Sequence, residues 1–117
     1  MSPAPVLRID YIELPTTDLA ASKHFYGAAF GWSFTDYGPR YTSFEDGRLS
    51  GGFTTETKPA TGGGPLVILF AADLEAAQAK VEAAGGRIVR PLFSFPGGRR
   101  FHFADPSGNV LAVWSDS

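Results

Sequence analysis

The chain repeats itself at about half its length, and this repeat constrains its fold more than any other feature. Asp18 and Asp73 each precede an apolar helical stripe, and these stripes lie about 55 residues apart. Gly31 and Gly85 end the two stripes at nearly the same interval. Each stripe follows one strand-like segment and precedes three more, within 117 residues that fit one domain. We therefore predict an α+β domain made of one strand–helix–three-strand module repeated twice.

Apolar periodicity and turn sequences set the boundaries of the two modules. The first module covers about residues 6–57, residues 58–65 form a Gly- and Pro-rich linker, and the second module covers about residues 66–115. The predicted helices are Leu19–Phe30 and Leu74–Ala84. The predicted strands of module one are Leu7–Leu14, Ser33–Tyr37, Tyr41–Glu45 and Arg48–Thr55. Those of module two are Leu66–Ala72, Arg87–Phe93, Arg99–Ala104 and Asn109–Ser115.

Charge, cysteine content and hydropathy exclude several classes of protein. The formal net charge is −2, so no basic field is present to hold nucleic acid or an anionic membrane. Zero cysteines exclude disulfides, thiolate metal sites and thiol nucleophiles. The longest apolar run, Pro65–Ala72, is too short to span a bilayer, and Met1–Pro5 lacks the features of a signal peptide. We expect a cytoplasmic protein with neither nucleic-acid nor membrane partners.

Four short segments resemble a known superfamily in the same order along the chain. They are Tyr11–Leu19, Phe25–Gly27, Phe30–Trp32 and Phe103–Asn109. Together they are similar to the vicinal oxygen chelate superfamily, which includes glyoxalase I, bleomycin-resistance proteins, fosfomycin-resistance enzymes and extradiol dioxygenases. The resemblance covers nearly the whole chain. It implies two βαβββ modules forming a curved, cup-shaped mixed sheet with helices outside, and a two-fold homodimer. The fold alone does not decide the chemistry.

The same resemblance implies where a metal would be held in members of this superfamily that use one. The matching positions are Tyr11 on the first strand, Gly52 or Phe53 on the fourth, Leu66 on the fifth and Ala112 on the last. A divalent site needs imidazole or carboxylate ligands, and none of these side chains supplies one. We therefore predict no metal site and no cofactor, and full folding without metal.

Polar side chains in the implied cup are the candidates for chemistry. By the resemblance and by strand alternation, Arg100 and His102 point into the cup from the penultimate strand, and Tyr11 and Glu13 from the first. His102 and Glu13 are candidate catalytic residues. The alternatives are a hydrogen-bonded strand-edge histidine and a structural ion pair between Glu13 and Arg100.

The rest of the implied cup is apolar and aromatic, as expected for a small-molecule site. The alternative for the aromatic side chains is plain core packing. The candidate ligand-binding residues are Tyr11, Phe53, Leu66, Ile68, Phe70, Arg100, Ala112 and Trp114.

Three functions remain open at this point, beside a purely structural or regulatory role. The first is a metal-independent protein that binds a small molecule without changing it, in the manner of bleomycin-resistance proteins. The second is a metal-independent lyase or isomerase in which His102 or Glu13 moves a proton on a carbonyl compound while Arg100 stabilises negative charge. The third is a metal-dependent lyase or dioxygenase with displaced ligands such as His102, Glu13 and Glu56. The ligand, and whether the cup forms within one chain or between two, stay open.

Overall fold

The computed structural model describes residues 7–59 and 64–117, and the expectations for Met1–Pro5 and for the middle of the linker lie outside these residues. Ten elements follow in the order βαβββ–βαβββ. They are β1 (Tyr11–Pro15), α1 (Leu19–Phe30), β2 (Ser33–Asp36), β3 (Tyr41–Glu45), β4 (Ser50–Thr54), β5 (Ile68–Phe70), α2 (Leu74–Ala83), β6 (Arg87–Phe95), β7 (Gly98–Ala104) and β8 (Val110–Ser115). In the described part of the chain, no helix is long and apolar enough to cross a membrane.

Both helices begin where the sequence predicts; α1 also ends at the predicted Phe30, and α2 ends at Ala83, one residue before the predicted Ala84. The Asp18 side chain accepts a hydrogen bond from the Ala21 backbone N–H at 3.2 Å, and Asp73 accepts one from Ala76 at 3.0 Å. These are N-caps, which satisfy donors that the first helical turn leaves free. Gly31 follows α1 with φ 74°, a left-handed conformation that favours glycine.

The strands form two four-stranded mixed sheets of identical topology. Their orders are β1-β4-β3-β2 and β5-β8-β7-β6. In each sheet the first strand pairs in parallel with the fourth, and the remaining pairs are antiparallel. The predicted α+β fold of two βαβββ modules is confirmed, and β1 and β5 each leave one edge unpaired within their sheet.

One hydrophobic core joins the two modules and lies on the helix side of both sheets. Phe25 and Phe30 of α1 pack against Phe103 of β7, with ring centroids 5.8 Å apart in each pair. Leu74 and Val81 of α2 are fully buried in the same cluster. Because the core occupies this side, the opposite side of each sheet faces away from it.

A buried hydrogen-bond cluster also connects the modules. The Tyr26 hydroxyl of α1 donates to Asp105 Oδ2 at 2.8 Å, beyond the end of β7. Asn109 Nδ2 donates to the Pro15 carbonyl at 2.6 Å and to Asp105 Oδ2 at 3.0 Å. The backbone N–H groups of Ser107 and Asn109 both donate to Asp105 Oδ1 at 2.9 Å. Asp105 is therefore the common acceptor that ties the last turn of module two to module one.

We expect Tyr26 to make folding sensitive to alkaline pH. Burial, with the Asp105 carboxylate as a second cause, raises the pKa of Tyr26 well above its usual value. A raised pKa in the folded state gives stability that is complete below the unfolded-state pKa, near 10, and is lost as the pH rises above it. Denaturant titrations between pH 7 and 11 should show this loss in the wild type and a shallower loss in Tyr26→Phe. Tyr37→Phe, at an exposed site, should follow the wild type, and equal slopes in all three proteins would contradict the assignment.

Candidate functional site

The first sheet has a polar surface on the side away from the helices, which we call the acidic face. Strand alternation and the register of β1, β4 and β3 place six exposed or half-buried polar side chains on it. These are Tyr11, Glu13, Tyr41, Ser43, Glu45 and Ser50. The two carboxylates give this face a negative charge.

Two tyrosines of the acidic face lie directly over Gly52. Their hydroxyl oxygens, on Tyr11 and Tyr41, are 2.5 Å apart, and the Tyr41 hydroxyl donates to Glu13 Oε2 at 3.0 Å. A Cβ at Gly52 would overlap both tyrosine hydroxyls, so this close approach requires glycine. Burial and the hydrogen bonds to Tyr11 and Glu13 raise the pKa of Tyr41 far above its usual value. Tyr41 therefore stays a hydrogen-bond donor at neutral pH.

Phe53, expected to line the cup, lies in the hydrophobic core instead. Its side chain is 0% exposed, and its ring centroid is 5.0 Å from that of Tyr26. Successive residues of a strand point to opposite sides, so the residue of β4 that meets Tyr11 and Tyr41 is Gly52. Tyr41 was missed by the sequence analysis, although the alternation of its own predicted strand places it with Ser43 and Glu45.

The second sheet has a corresponding surface away from the helices, which we call the basic face. It combines cationic and aromatic side chains from β6, β7 and β8 with apolar side chains from β5. Its members are Ile68, Phe70, Arg90, Phe93, Phe95, Arg100, His102, Ala112 and Trp114.

Strand register brings most of the sequence-predicted residues together on the basic face. Arg100 pairs with Trp114, and His102 pairs with Ala112, across β7 and β8. On the other side of β8, Ile68 lies opposite Ala112 and Phe70 opposite Trp114. Phe70 is 56% exposed and contacts Trp114 edge-on, with ring centroids 5.2 Å apart. Leu66 precedes β5 and is exposed.

Two register shifts in β6 bring Arg90 and Phe93 to the same face. Arg90 lies opposite His102 and Phe93 opposite Arg100, with shifts on both sides of Arg90. In a regular strand, residues three apart would point to opposite sides, but an extra residue in a bulge reverses that parity. Pro91 lies within the second shift, where a residue without a backbone N–H is tolerated.

His102 and Arg100 each carry a buried nitrogen without a hydrogen-bond partner among the described residues. These atoms are His102 Nε2 and Arg100 Nε. Burial lowers the pKa of His102, and the positive charges of Arg100 and Arg90 lower it further. The His102 ring is therefore neutral at neutral pH, and the guanidinium groups stay charged.

Glu13 and Arg100 do not form an ion pair within one chain. Over residues 7–59 and 64–117, the salt bridges are Lys23–Asp36 and Arg99–Glu75. Glu13 lies on the first sheet and Arg100 on the second, and the core separates the two faces.

The side chains at the implied metal positions do not fit a divalent metal. Tyr11, Gly52, Leu66 and Ala112 together supply one phenol and neither imidazole nor carboxylate. Nor do the described residues contain a group of three or more His, Cys, Asp or Glu side chains that could hold a metal ion.

A family model and curated relatives each match most of the chain. The family model described as Glyoxalase/Bleomycin resistance protein/Dioxygenase superfamily matches residues 8–113. The anthracycline biosynthesis protein DauV from Streptomyces sp. (strain C5) is 36% identical over 124 residues, which cover 89% of this chain and 45% of that protein. The chain thus spans less than half the length of the curated relatives it matches.

Solved structures show the same fold at low sequence identity. The fosfomycin resistance protein FosX from Mesorhizobium loti superposes with a TM-score of 0.79 at 16% identity, over 95% of this chain and 93% of that one. A glyoxalase-related enzyme from Fulvimarina pelagi gives a TM-score of 0.78 at 22% identity, over 94% and 88% of the two chains.

Proposed function

The chain belongs to the Glyoxalase/Bleomycin resistance protein/Dioxygenase superfamily, and we propose that it binds a small molecule, without a metal, between the acidic face of one copy and the basic face of a second copy. The observation that carries this proposal is the orientation of the two faces. Each bears a concentrated set of polar and aromatic side chains, and each points away from the core that joins the sheets. A site that uses both faces therefore requires two chains.

Exposed apolar side chains support pairing of two copies. Six large ones lie in or just before β1 and β5, which are two of the four edge strands. Ile9, for example, is 79% exposed. The six are Leu7, Ile9, Tyr11, Leu66, Ile68 and Phe70. Edge strands with exposed apolar side chains are usually covered, and a second copy would cover them here.

Opposite charge on the two faces supports the same arrangement. The acidic face carries Glu13 and Glu45, whereas the basic face carries Arg90 and Arg100, which form no salt bridge with a described residue. In a two-fold dimer the acidic face of each copy would meet the basic face of the other, giving two identical cups. Opposite charges favour this pairing of an acidic face with a basic face, and they disfavour pairing of two acidic or two basic faces.

A metal-independent lyase or isomerase is the second candidate function. It is favoured by His102, whose ring is neutral and whose buried Nε2 has no partner among the described residues. Such a ring can accept a proton from a bound carbonyl compound, and the neighbouring Arg100 can stabilise the negative charge that develops. This candidate uses the same cup as the binding function, so the two differ only in the fate of the ligand.

Thermal melts in the presence of small aromatic and carbonyl compounds test the binding function. A compound present at a hundred times its Kd adds about 2.7 kcal/mol to the free energy of unfolding and should raise the Tm by several degrees. Lys23→Gln, on α1, should respond as the wild type does, whereas Arg100→Gln should respond less. Mass spectrometry of the bound compound should show it unchanged.

Two results would change the proposed function. Conversion of a bound compound by the wild type but not by His102→Gln would replace binding with the lyase or isomerase function. Absence of any shift in the wild-type Tm across the collection at millimolar concentration would contradict both functions.

A further inference from the structure

The arrangement of charge and aromatic rings on the basic face favours one class of ligand. This inference rests on the proposed function, in which the basic face lines a small-molecule site. We propose that this face selects a planar aromatic molecule carrying one anionic group, a carboxylate or a phenolate. Its ring would lie against Phe95 and Trp114, and its anionic group would contact Arg100 from the side of Arg90. Neutral aromatic molecules and aliphatic anions would each satisfy only half of this surface.

Aromatic rings form a continuous row along the basic face. The ring centroids of Phe70 and Trp114 are 5.2 Å apart, and those of Trp114 and Phe95 are 6.3 Å apart. All three side chains are half-buried or exposed, so part of each ring surface remains accessible to a ligand. Rings at this spacing present a broad apolar surface on which another ring can stack.

Guanidinium groups lie against the same row of rings. The Arg100 guanidinium carbon is 5.4 Å from the centroid of Phe93 and 5.6 Å from that of Phe95. The Arg90 guanidinium lies over Phe93 at 3.7 Å. These cation–π contacts place both guanidinium groups beside the position where a ligand ring would stack. An anionic substituent on that ring would then be within reach of guanidinium donors.

Within one chain Arg100 has no anionic partner among the described residues, in contrast to its neighbour Arg99. Arg99 points to the helix side, where its Nη1 donates to Glu75 of α2 at 2.7 Å. Arg100, one residue further along β7, points to the opposite side and has no carboxylate partner among the described residues. Its buried Nε also lacks an acceptor there. A partly buried guanidinium without an anionic partner is costly, and an anionic ligand paired with its other nitrogens would lower that cost.

Calorimetric titration of the intact chain with three probes tests the ligand class. The probes are 2-naphthoate, its neutral isostere 2-naphthamide, and cyclohexanecarboxylate, an anion without an aromatic ring. We expect 2-naphthoate to bind roughly tenfold or more tightly than either of the others. Arg100→Gln should lose this preference over 2-naphthamide, and Phe95→Leu should lose the preference over cyclohexanecarboxylate. Lys23→Gln removes one positive charge from α1, away from the basic face, and should leave all three affinities unchanged.

The outcomes separate this ligand class from the proposed function itself. Equal binding of 2-naphthoate and 2-naphthamide, or of 2-naphthoate and cyclohexanecarboxylate, would overturn the ligand class while leaving a small-molecule site in the cup. Failure of all three probes to bind the wild type would also overturn the ligand class, and the thermal melts with the wider collection would then decide the proposed function. Circular dichroism of each variant shows whether it is folded, and Arg100→Lys provides a second variant that keeps the charge but not the planar group.

Discussion

Replacement of Asp105 by alanine is expected to lower the free energy of unfolding by about 3–5 kcal/mol, because several buried donors lose their common acceptor. The carboxylate is 5% exposed and accepts hydrogen bonds from the Tyr26 hydroxyl, the Asn109 side chain and two backbone N–H groups. Each donor left buried and unsatisfied costs about 1–3 kcal/mol. Since a domain of this size is stable by only about 5–15 kcal/mol, the variant should melt roughly 10 °C or more below the wild type.

Two matched variants show whether the loss comes from this cluster. Asp116→Ala removes a carboxylate from an exposed position and should change the free energy of unfolding by about 0.5 kcal/mol or less. Tyr26→Phe removes one donor and leaves the others in place, so its cost should fall between those of the two aspartate variants. Urea titrations at neutral pH give the three values. A change below about 1 kcal/mol in Asp105→Ala would contradict the role assigned to the cluster.

Charge reversal on either face of the cup is expected to break the dimer, and mixing the two reversed chains is expected to restore it. The two variants are Glu13→Arg on the acidic face and Arg100→Glu on the basic face. In a homodimer of either variant, like charges would meet across both cups, at a cost of several kcal/mol. In the mixed dimer one cup keeps the original pair and the other holds the reversed pair, so both cups contain opposite charges.

Light scattering and native mass spectrometry measure this exchange. The wild type at micromolar concentration should have the mass of two chains, each single variant should shift towards one chain, and the mixture should form mostly the mixed dimer. The double variant with both reversals in one chain should also dimerise, which shows that each substitution is tolerated by the fold. A monomeric wild type, or a mixture in which each variant stays apart, would contradict the two-chain cup.

The sequence predicted the helices closely because their signals are local. The apolar stripe, the aspartate N-caps and Gly31 fix α1 at Leu19–Phe30, as predicted, and α2 ends one residue before the predicted Ala84. The strand Tyr41–Glu45 was likewise predicted at its observed bounds. The strand next to the linker is much shorter than predicted, because β5 covers Ile68–Phe70 and the prediction was Leu66–Ala72. End residues of a strand depend on the partner strand, which local sequence does not specify.

The site was predicted less completely, because the sequence did not show which side of the sheet some strand residues face. Gly52 and Phe53 are adjacent, so the motif alone did not show which one faces outward, and the tyrosine pair that decides it comes from two other strands. Arg90 and Phe93 were missed because their common orientation depends on two register shifts that strict alternation does not describe. Pro91 between them was the available signal, since proline inside a strand indicates a bulge or an edge.

The register shifts in β6 also suggest how ligand preference can change during evolution, through a change in the length of this strand. β6 is an edge strand, and Ile88 keeps its pairing with Phe103 on the core side while Arg90 and Phe93 point the other way. Insertion or deletion of one residue between Arg90 and Phe93 would exchange the side chains offered to a ligand, and it would also shift Leu92, which packs against the core. A change in the length of this one strand could therefore alter ligand preference while Ile88 and Phe103 keep their pairing.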